Sequence, residues 1–199
     1  MQTIQSQVHG VRDEQSMRIL PGPPAVNGSE IADNFKRTVD FWINGLDQYS
    51  FAQLHAKPRL AGWSIGQVYM HLLNETAFYL GQARVCLSTN DHATDEATAN
   101  AKMMFDSNSF PDEIIEGPPS NAHTPQPEGK DQLKIGLLRL RNEAVEIGAL
   151  ISSSTFRGKT KHPGLHYFSA AEWLQFADMH FRHHLRQKER IDVSMADGP

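Results

Sequence analysis

The run HFRHH contains the residues whose types and spacing are best suited to chemistry. Its histidines His180 and His184 are four residues apart, so on a helix their side chains lie on one face, about one turn apart. That separation lets two imidazoles reach one divalent ion. The chain has 10 histidines, and such a pair is also compatible with partly buried or surface imidazoles that bind nothing. The pair alone does not establish a metal site, and a third ligand is needed.

His71 supplies the candidate third ligand. It lies in the middle of a predicted helix, on the apolar face that also carries Val68 and Leu72. Because an imidazole without a partner is costly to bury, this position needs a hydrogen-bond partner or a metal. One hypothesis is a core histidine bonded to a backbone carbonyl or to Glu75. The other is a zinc or nickel ion held by three imidazoles, with one position left open for water.

Proton transfer beside such an ion needs a further titratable group. Glu75 follows the mid-helix histidine by one turn and is a candidate outer-sphere acceptor or general base. Asp178 is a second carboxylate of this kind, although a solvated helix carboxylate is the simpler interpretation of it. His183 is an alternative second ligand, ranked below His184 because the two side chains point about a third of a turn apart. We therefore predict Glu75 and His183 as the catalytic, proton-handling residues.

Other residues capable of chemistry lie outside this group. His162 and His166 belong to a predicted loop before the last helix, where we expect exposed side chains at the mouth of a pocket or on the surface. Cys86 lies roughly 22 Å beyond the candidate ligand on the same predicted helix, given a rise of about 1.5 Å per residue. We therefore expect the cysteine to pack in the core and not to ligate the metal.

Hydrophobic periodicity and capping residues predict four helices of about 20 residues that position these side chains. The first begins at the N-cap residue Ser29 and ends near Tyr49. Capping boxes open the second and fourth helices, which carry the candidate ligands, at Ser64 and Ser169. The third helix spans about 130–152 and has the pattern of a plain packing helix.

Four helices, without period-two alternation or an internal repeat, predict an all-α fold and specifically a four-helix bundle. Residues 1–28 are polar and contain PGPPAVNG, so we expect an irregular N-terminal arm. The bundle is expected to occupy residues 29–191, followed by a C-terminal tail over 192–199. Residues 89–128 are rich in Asn, Asp, Thr, Pro and Gly and predict a long connection between helices two and three, either a crossover loop or a lid.

Composition argues against several classes of protein. A net charge of -4 without a Lys/Arg cluster argues against nucleic-acid binding. No apolar run reaches the roughly 18 residues that span a bilayer, and the first residues have no apolar core of signal-peptide length. The single cysteine cannot form an internal disulfide, which fits a reducing compartment. We therefore expect a cytoplasmic protein without a nucleic-acid or membrane partner, and the apolar patterns are compatible with a homodimer.

Two ordered motifs resemble those of the DinB-like superfamily, which is also grouped with the YfiT-type metal-dependent hydrolases. The first is GWSIGQVYMHLLNE, with Trp63, the capping Ser64, Gly66 and His71. The second is HPGLHYFSAAEWLQFADMHFRHHLRQ, in which a His-Pro loop, a Ser-capped helix with Glu-Trp and a paired histidine segment ending in Gln follow in order. The resemblance covers about residues 29–191.

The resemblance implies a four-helix bundle in which His71, His180 and His184 hold a divalent metal, zinc or nickel, at one end. It also implies a small-molecule substrate, possible candidates being low-molecular-weight thiols such as bacillithiol, mycothiol or glutathione. The implied reactions are thiol transfer, thiol-dependent isomerisation and hydrolysis. The loop HPGLHYF and the 89–128 connection depart from the family pattern and leave the substrate class open.

Two functions of different classes follow from the sequence. The first is a metal-dependent enzyme, a thiol S-transferase or a hydrolase, in which the ion makes a thiol or water nucleophilic near neutral pH. The second is a non-catalytic helical bundle whose histidines hold a structural ion or a hydrogen-bond network and which acts as a binding module. A catalytic site keeps a position open for water, whereas a structural site is saturated by four protein ligands.

Overall fold

The computed structural model describes residues 27–58, 62–112 and 119–196, and these residues are mostly helical, as predicted. The helices are α1 (Gly28–Leu46), α2 (Phe51–His55), α3 (Ile65–Cys86), α4 (Ala99–Ser107), α5 (Lys130–Ser153), α6 (Ala170–His183) and α7 (Leu185–Ala196), with a 3₁₀ turn at Pro119–His123 and two strands, β1 (Lys159–His162) and β2 (His166–Ser169). The predicted arm falls almost entirely on residues 1–26, which lie outside the described residues. Within the described part of the chain, none of the helices combines the length and the apolar character needed to cross a membrane.

The helices that carry the candidate ligands begin where the sequence predicts. Ser64 accepts the backbone N–H of Gln67 while the Gln67 side chain accepts the N–H of Ser64, and Ser169 forms the same reciprocal pair with Glu172. These capping boxes satisfy backbone donors that the first helical turn leaves unpaired. The prediction of Ser29 as the first N-cap is wrong. Asn27 takes that role, because its side-chain oxygen reaches the N–H of Glu30 at 2.9 Å.

The long helices pack around one apolar core. Helix α1 lies against α5 and α6, and α3 lies against the same two helices. The largest side chains removed from solvent come from these four helices, from α2 and from β2: Trp42, Trp173, Tyr69, Phe35, Phe168, Phe181, Leu46, Leu54, Ile65, Leu72, Leu80 and Leu133. Burial of this apolar surface is the main favourable contribution to folding, at about 25 cal/mol per Å².

Helices α1 and α5 approach each other closely where two glycines meet. A Cβ atom added at Gly28 would lie 2.4 Å from the carbonyl oxygen of Gly148. A Cβ atom at Gly148 would lie 2.6 Å from the Cβ of Ala32. Larger side chains at either position would therefore force the two helices apart, which fixes the spacing at the start of α1.

A β-hairpin interrupts the predicted all-α fold before α6. Strands β1 and β2 pair antiparallel, with Lys159 opposite Ser169 and His162 opposite His166. The sequence did not reveal this hairpin because its strands have four residues each, too short for a period-two pattern to stand out. The hairpin leads directly into the N-cap of α6 and so sets where that helix begins.

The predicted long connection is present, and its first part is fastened to the hairpin. The backbone N–H groups of Gly158 and Lys159 donate to the carbonyls of Thr89 and Asp91, each at 2.9 Å. Further along, Thr98 donates to Leu165 at 3.1 Å. Segment 89–98 therefore runs along the hairpin, and α4 follows it and packs on α6.

The last predicted helix is divided into two. Helix α6 ends at His183, and α7 begins at Leu185. His184 lies between them with φ -74° and ψ -8°, and the ladder of backbone hydrogen bonds resumes when Lys188 donates to its carbonyl at 2.9 Å. Helix α7 continues to Ala196, beyond the predicted bundle boundary at residue 191.

Candidate metal centre

The three histidines predicted as ligands meet at one point of the structure. His71 comes from α3, His180 from the last turn of α6, and His184 from the junction with α7. The Nε2 atom of His180 lies 3.1 Å from Nε2 of His71 and 3.1 Å from Nε2 of His184. One potential ligand atom from each residue fits within 4.8 Å of the others. The predicted convergence is therefore present, while metal binding itself stays a prediction.

Helix packing places these rings where water has little access. His71 is flanked on α3 by Val68 and Leu72, which are completely buried, so the backbone at this point is fixed by the core. His71 and His180 each expose only 7% of their surface. Aromatic rings complete the surroundings: Trp63 lies 4.9 Å from the ring of His71, and Tyr79 lies 5.6 Å from that of His180, measured between centroids.

Burial keeps the three imidazoles neutral at physiological pH. Desolvation, with a smaller contribution from His183, lowers the pKa of His71 to about 4. Desolvation and the neighbouring His71 lower the pKa of His184 to about 3. The pKa of His180 lies well below its usual value because burial and the adjacent imidazoles disfavour its charged form. Neutral imidazole is the form that binds metals, since its unprotonated nitrogen provides the lone pair.

The spacing and chemistry of the donors fit a divalent transition metal. Two nitrogens bound to zinc at about 2.0–2.1 Å in tetrahedral geometry lie roughly 3.3 Å apart. The observed separations of 3.1 Å are close to that value. Three neutral imidazoles suit zinc, nickel, copper or iron, whereas magnesium and calcium prefer oxygen ligands. The donor set therefore matches a transition metal, and it does not identify which one.

Gln187, the glutamine that ends the second motif, contacts the site, although the sequence analysis assigned it no role. Its Oε1 atom lies 2.7 Å from Nδ1 of His184. Metal-ligating histidines commonly donate their second ring nitrogen to such an outer acceptor. The available signal was the spacing, because on a helix a side chain three residues after a ligand lies on the same face.

Glu75 is close to the site without belonging to the group of three ligand atoms. Its side chain is half-buried, and its Oε2 accepts a hydrogen bond from the hydroxyl of Tyr79 at 3.2 Å. Burial, with a smaller contribution from the same carboxylate, raises the pKa of Tyr79 above its usual value, so the phenol stays protonated. Glu75 thus lies on the ligand-bearing helix one turn from His71, as predicted, and its catalytic role stays a prediction.

His183 lies beside the cluster on the α6 side. Its ring centroid is 5.3 Å from that of His184 and 5.3 Å from that of Phe110. Its Nδ1 accepts a hydrogen bond from Arg186 at 3.3 Å, and Arg186 also forms an ion pair with Asp112. Partial burial, together with the positive charge of nearby Arg190, lowers the pKa of His183. The structure places this residue beside the ligands and not among them.

The interpretation of Asp178 as a solvated helix carboxylate is wrong. Its side chain exposes 5% of its surface and pairs with Arg182 at 2.9 Å. The hydroxyl of Thr38 on α1 donates to the second carboxylate oxygen at 2.6 Å. Both oxygens are thus occupied by structural partners, Arg182 within α6 and Thr38 from α1, which makes Asp178 unsuitable as a general base at the histidine cluster.

The remaining residues capable of chemistry, Cys86, His162 and His166, differ in how far they are buried. Cys86 is buried, with Sγ 3.4 Å from the carbonyl oxygen of Phe168, which confirms its predicted core position. His166 is exposed, as predicted. The expectation of an exposed His162 is wrong, because this half-buried ring lies 5.2 Å from the rings of Phe168 and Phe176. Desolvation there lowers the pKa of His162 to about 4.

Comparison with known proteins identifies the family. The sequence model of the DinB superfamily matches residues 35–187, which is most of the chain and includes all three clustered histidines. No curated protein and no solved structure gives a significant match. The extent of the family match agrees with the motifs around His71 and His180 and with the helical architecture. The chain belongs to the DinB superfamily.

Proposed function

We propose that the protein is a metal-dependent enzyme in which His71, His180 and His184 hold a divalent ion, zinc or nickel. The observation that carries this proposal is the meeting of three Nε2 atoms from separate positions in the sequence, at 3.1 Å from the central one. Side chains that meet in this way within a buried site offer three lone pairs to one cation. When bound, the ion would lower the pKa of a bound thiol or water toward neutrality.

The substrate in this proposal is a small molecule, and the favoured reaction is transfer to or from a low-molecular-weight thiol. Hydrolysis is the second reaction of the same class. Membership of the DinB superfamily is the support for the thiol. Three protein ligands leave a coordination position for a substrate or water, as in catalytic zinc sites, whereas structural sites use four ligands.

Two residues are proposed to handle protons beside the bound nucleophile. Glu75 offers a half-buried carboxylate whose orientation is supported by the Tyr79 hydroxyl. His183 accepts from Arg186 at Nδ1, so its neutral tautomer carries hydrogen at Nε2 and can donate it. A carboxylate that accepts and an imidazole that donates are complementary partners for proton transfer during the reaction.

The proposed scaffold is the four-helix bundle typical of the superfamily, formed by α1, α3, α5 and α6. The packing of α1 and α3 on both α5 and α6 supports this arrangement. In such a bundle, sites are built from side chains on facing helices. Helices α3 and α6 are the pair that carries His71 and His180.

Elemental analysis of protein purified without a histidine tag tests the proposal. We expect about one metal ion per chain in the wild type and its loss in both H71A and H180A, because two imidazoles hold a divalent ion much less tightly than three. H123A is the matched control, since His123 is exposed in the 3₁₀ turn and should keep full metal content. Wild-type metal content in H180A would contradict the proposed site.

A non-catalytic role is the second candidate, and one observation favours it. The 3.1 Å separations between Nε2 atoms are also hydrogen-bond distances, so the rings can form a neutral network around His180. Thermal melting with and without a chelator separates the two candidates. A large fall in melting temperature on metal removal indicates a structural ion. A small fall, with metal that exchanges readily, supports an open catalytic site.

A further inference from the structure

His184 differs from the central ligand, His180, in how its second ring nitrogen is used. In His184, Nδ1 lies 2.7 Å from Oε1 of Gln187 while Nε2 faces the cluster. In His180, Nδ1 is buried and has no hydrogen-bond partner among the described residues. The contact to Gln187 is thus a specific polar restraint on one ligand, placed on the side of the ring away from the candidate metal.

This contact lies at the junction between α6 and α7. His184 occupies the junction, and Gln187 lies in the first turn of α7, three residues later. The same spacing occurs in the capping box of α3, where Oε1 of Gln67 accepts the backbone N–H of Ser64 at 3.2 Å. At the start of α7 the glutamine oxygen contacts the imidazole of the junction residue. A glutamine at the position that completes the capping box of α3 therefore contacts a candidate metal ligand, His184, at the start of α7.

We propose that Gln187 is a positioning residue of the metal centre, which holds His184 in the tautomer and orientation needed for ligation. An amide oxygen only accepts hydrogen bonds, so Nδ1 of His184 must donate to it. In a neutral imidazole the lone pair then belongs to Nε2, the atom directed at the cluster. This inference rests on the proposed metal site and adds to it a residue that controls affinity without touching the ion.

The test compares dissociation constants for Zn²⁺ and Ni²⁺, measured on tag-free, metal-depleted protein by competition with a chromophoric chelator. We expect Q187L to bind both ions about 10–100-fold more weakly than the wild type, the range found when an outer partner of a ligand is lost. We expect Q187E to bind at least as tightly as the wild type, because its carboxylate is a stronger acceptor. The visible spectrum of the Co²⁺ form should change in Q187L and stay close to wild type in Q187E.

A matched control is available on α5. Gln132 is half-buried in the first turn of that helix, and its Oε1 accepts the backbone N–H of Glu128 at 2.7 Å. Q132L removes a comparable hydrogen bond in which none of the three histidines takes part, and it should leave both dissociation constants unchanged. Melting of the metal-depleted proteins verifies that each variant folds. If Q187L does not fold, Q187E decides, because a weaker affinity in that variant contradicts the proposed orientation.

The results distinguish this inference from the proposed function. A wild-type protein that binds neither ion would overturn both. Normal wild-type binding, together with an unchanged dissociation constant and Co²⁺ spectrum in folded Q187L, would overturn the role of Gln187 alone. Loss of affinity in Q187L with rescue in Q187E would support it.

Discussion

His71 lies in the middle of the uninterrupted helix α3, whereas His184 lies where α6 ends and α7 begins. On the α3 side, completely buried apolar neighbours such as Leu72 fix the position of the ligand. On the α6–α7 side, polar contacts act in addition to buried neighbours such as Phe181, including the pair of Asp178 with Arg182 and the contact of Gln187 with His184. The difference indicates that stability and site geometry should respond differently to substitutions on the two sides.

The largest change in the free energy of unfolding is expected when the buried ion pair of Asp178 with Arg182 is broken. D178N leaves the side chain of Arg182, which exposes 9% of its surface, without its counter-charge. Removing one member of a buried ion pair typically lowers the free energy of unfolding by about 3–5 kcal/mol, because the remaining charge stays desolvated. Urea denaturation measures the change.

The surface ion pair of Asp40 with Arg141 provides the control for that experiment. Its side chains expose 38% and 28% of their surface, so D40N should cost no more than about 1 kcal/mol. Equal losses in D40N and D178N would contradict the idea that a buried ion pair restrains α6.

The apolar restraint on the α3 side is broken by L72A. Leu72 is completely buried next to His71, and truncation of such a residue costs about 2–5 kcal/mol through lost burial and the resulting cavity. L150A makes the same substitution at a position that is 44% exposed and should cost much less. A small effect of L72A in denaturant unfolding would show that core packing does not fix this side of the site.

The pH dependence of stability tests the packing between the hairpin and α6, because His162 of β1 lies among aromatic rings of β2 and α6. The pKa of His162 is lowered to about 4 by burial, against 6.5 in the unfolded chain. Between these values the unfolded state binds more protons than the folded state, so stability falls as pH decreases from 6.5 to 4. In H162F this loss should be smaller, by on the order of 2 kcal/mol after allowance for partial solvent exposure. Parallel pH profiles of unfolding free energy for H162F and the wild type would contradict the prediction.

The smallest effect is expected for Y79F, which removes a single hydroxyl on the α3 side. The donor to Glu75 is lost while the buried ring stays, so the free energy of unfolding should fall by about 0.5–1.5 kcal/mol. Metal content should not change, since neither residue belongs to the three-histidine group. Loss of the metal in elemental analysis of Y79F would place Glu75 closer to the ion than proposed.

The parts of the fold that depend on local signals were predictable from the sequence. Ser64 and Ser169 begin their helices as predicted because capping boxes act over three residues. The meeting of His180 with His184 follows from helical spacing. His71 was predicted as the third ligand because it lies in the middle of a helix on an apolar face, and this pattern is visible in the sequence.

The errors concern properties set by tertiary contacts. Asp178 is buried because Thr38 and Arg182 approach it, and neither contact can be inferred from helical periodicity alone. His162 is shielded by rings from β2 and α6, which the short strands bring beside it. The helix break at His184 was missed because the sequence contains no glycine or proline there to indicate an end.

Segment 89–98, fastened along the hairpin, also bears on how the protein behaves in concentrated solution. A two-stranded hairpin has outer edges whose unpaired amides and carbonyls can recruit a strand from another molecule. Here Tyr167 of β2 donates its amide to the carbonyl of Glu96, and Ala97 forms a bridge with His166. Part of the long connection therefore protects a hairpin edge, so shortening it would favour aggregation even if the histidine cluster stayed intact.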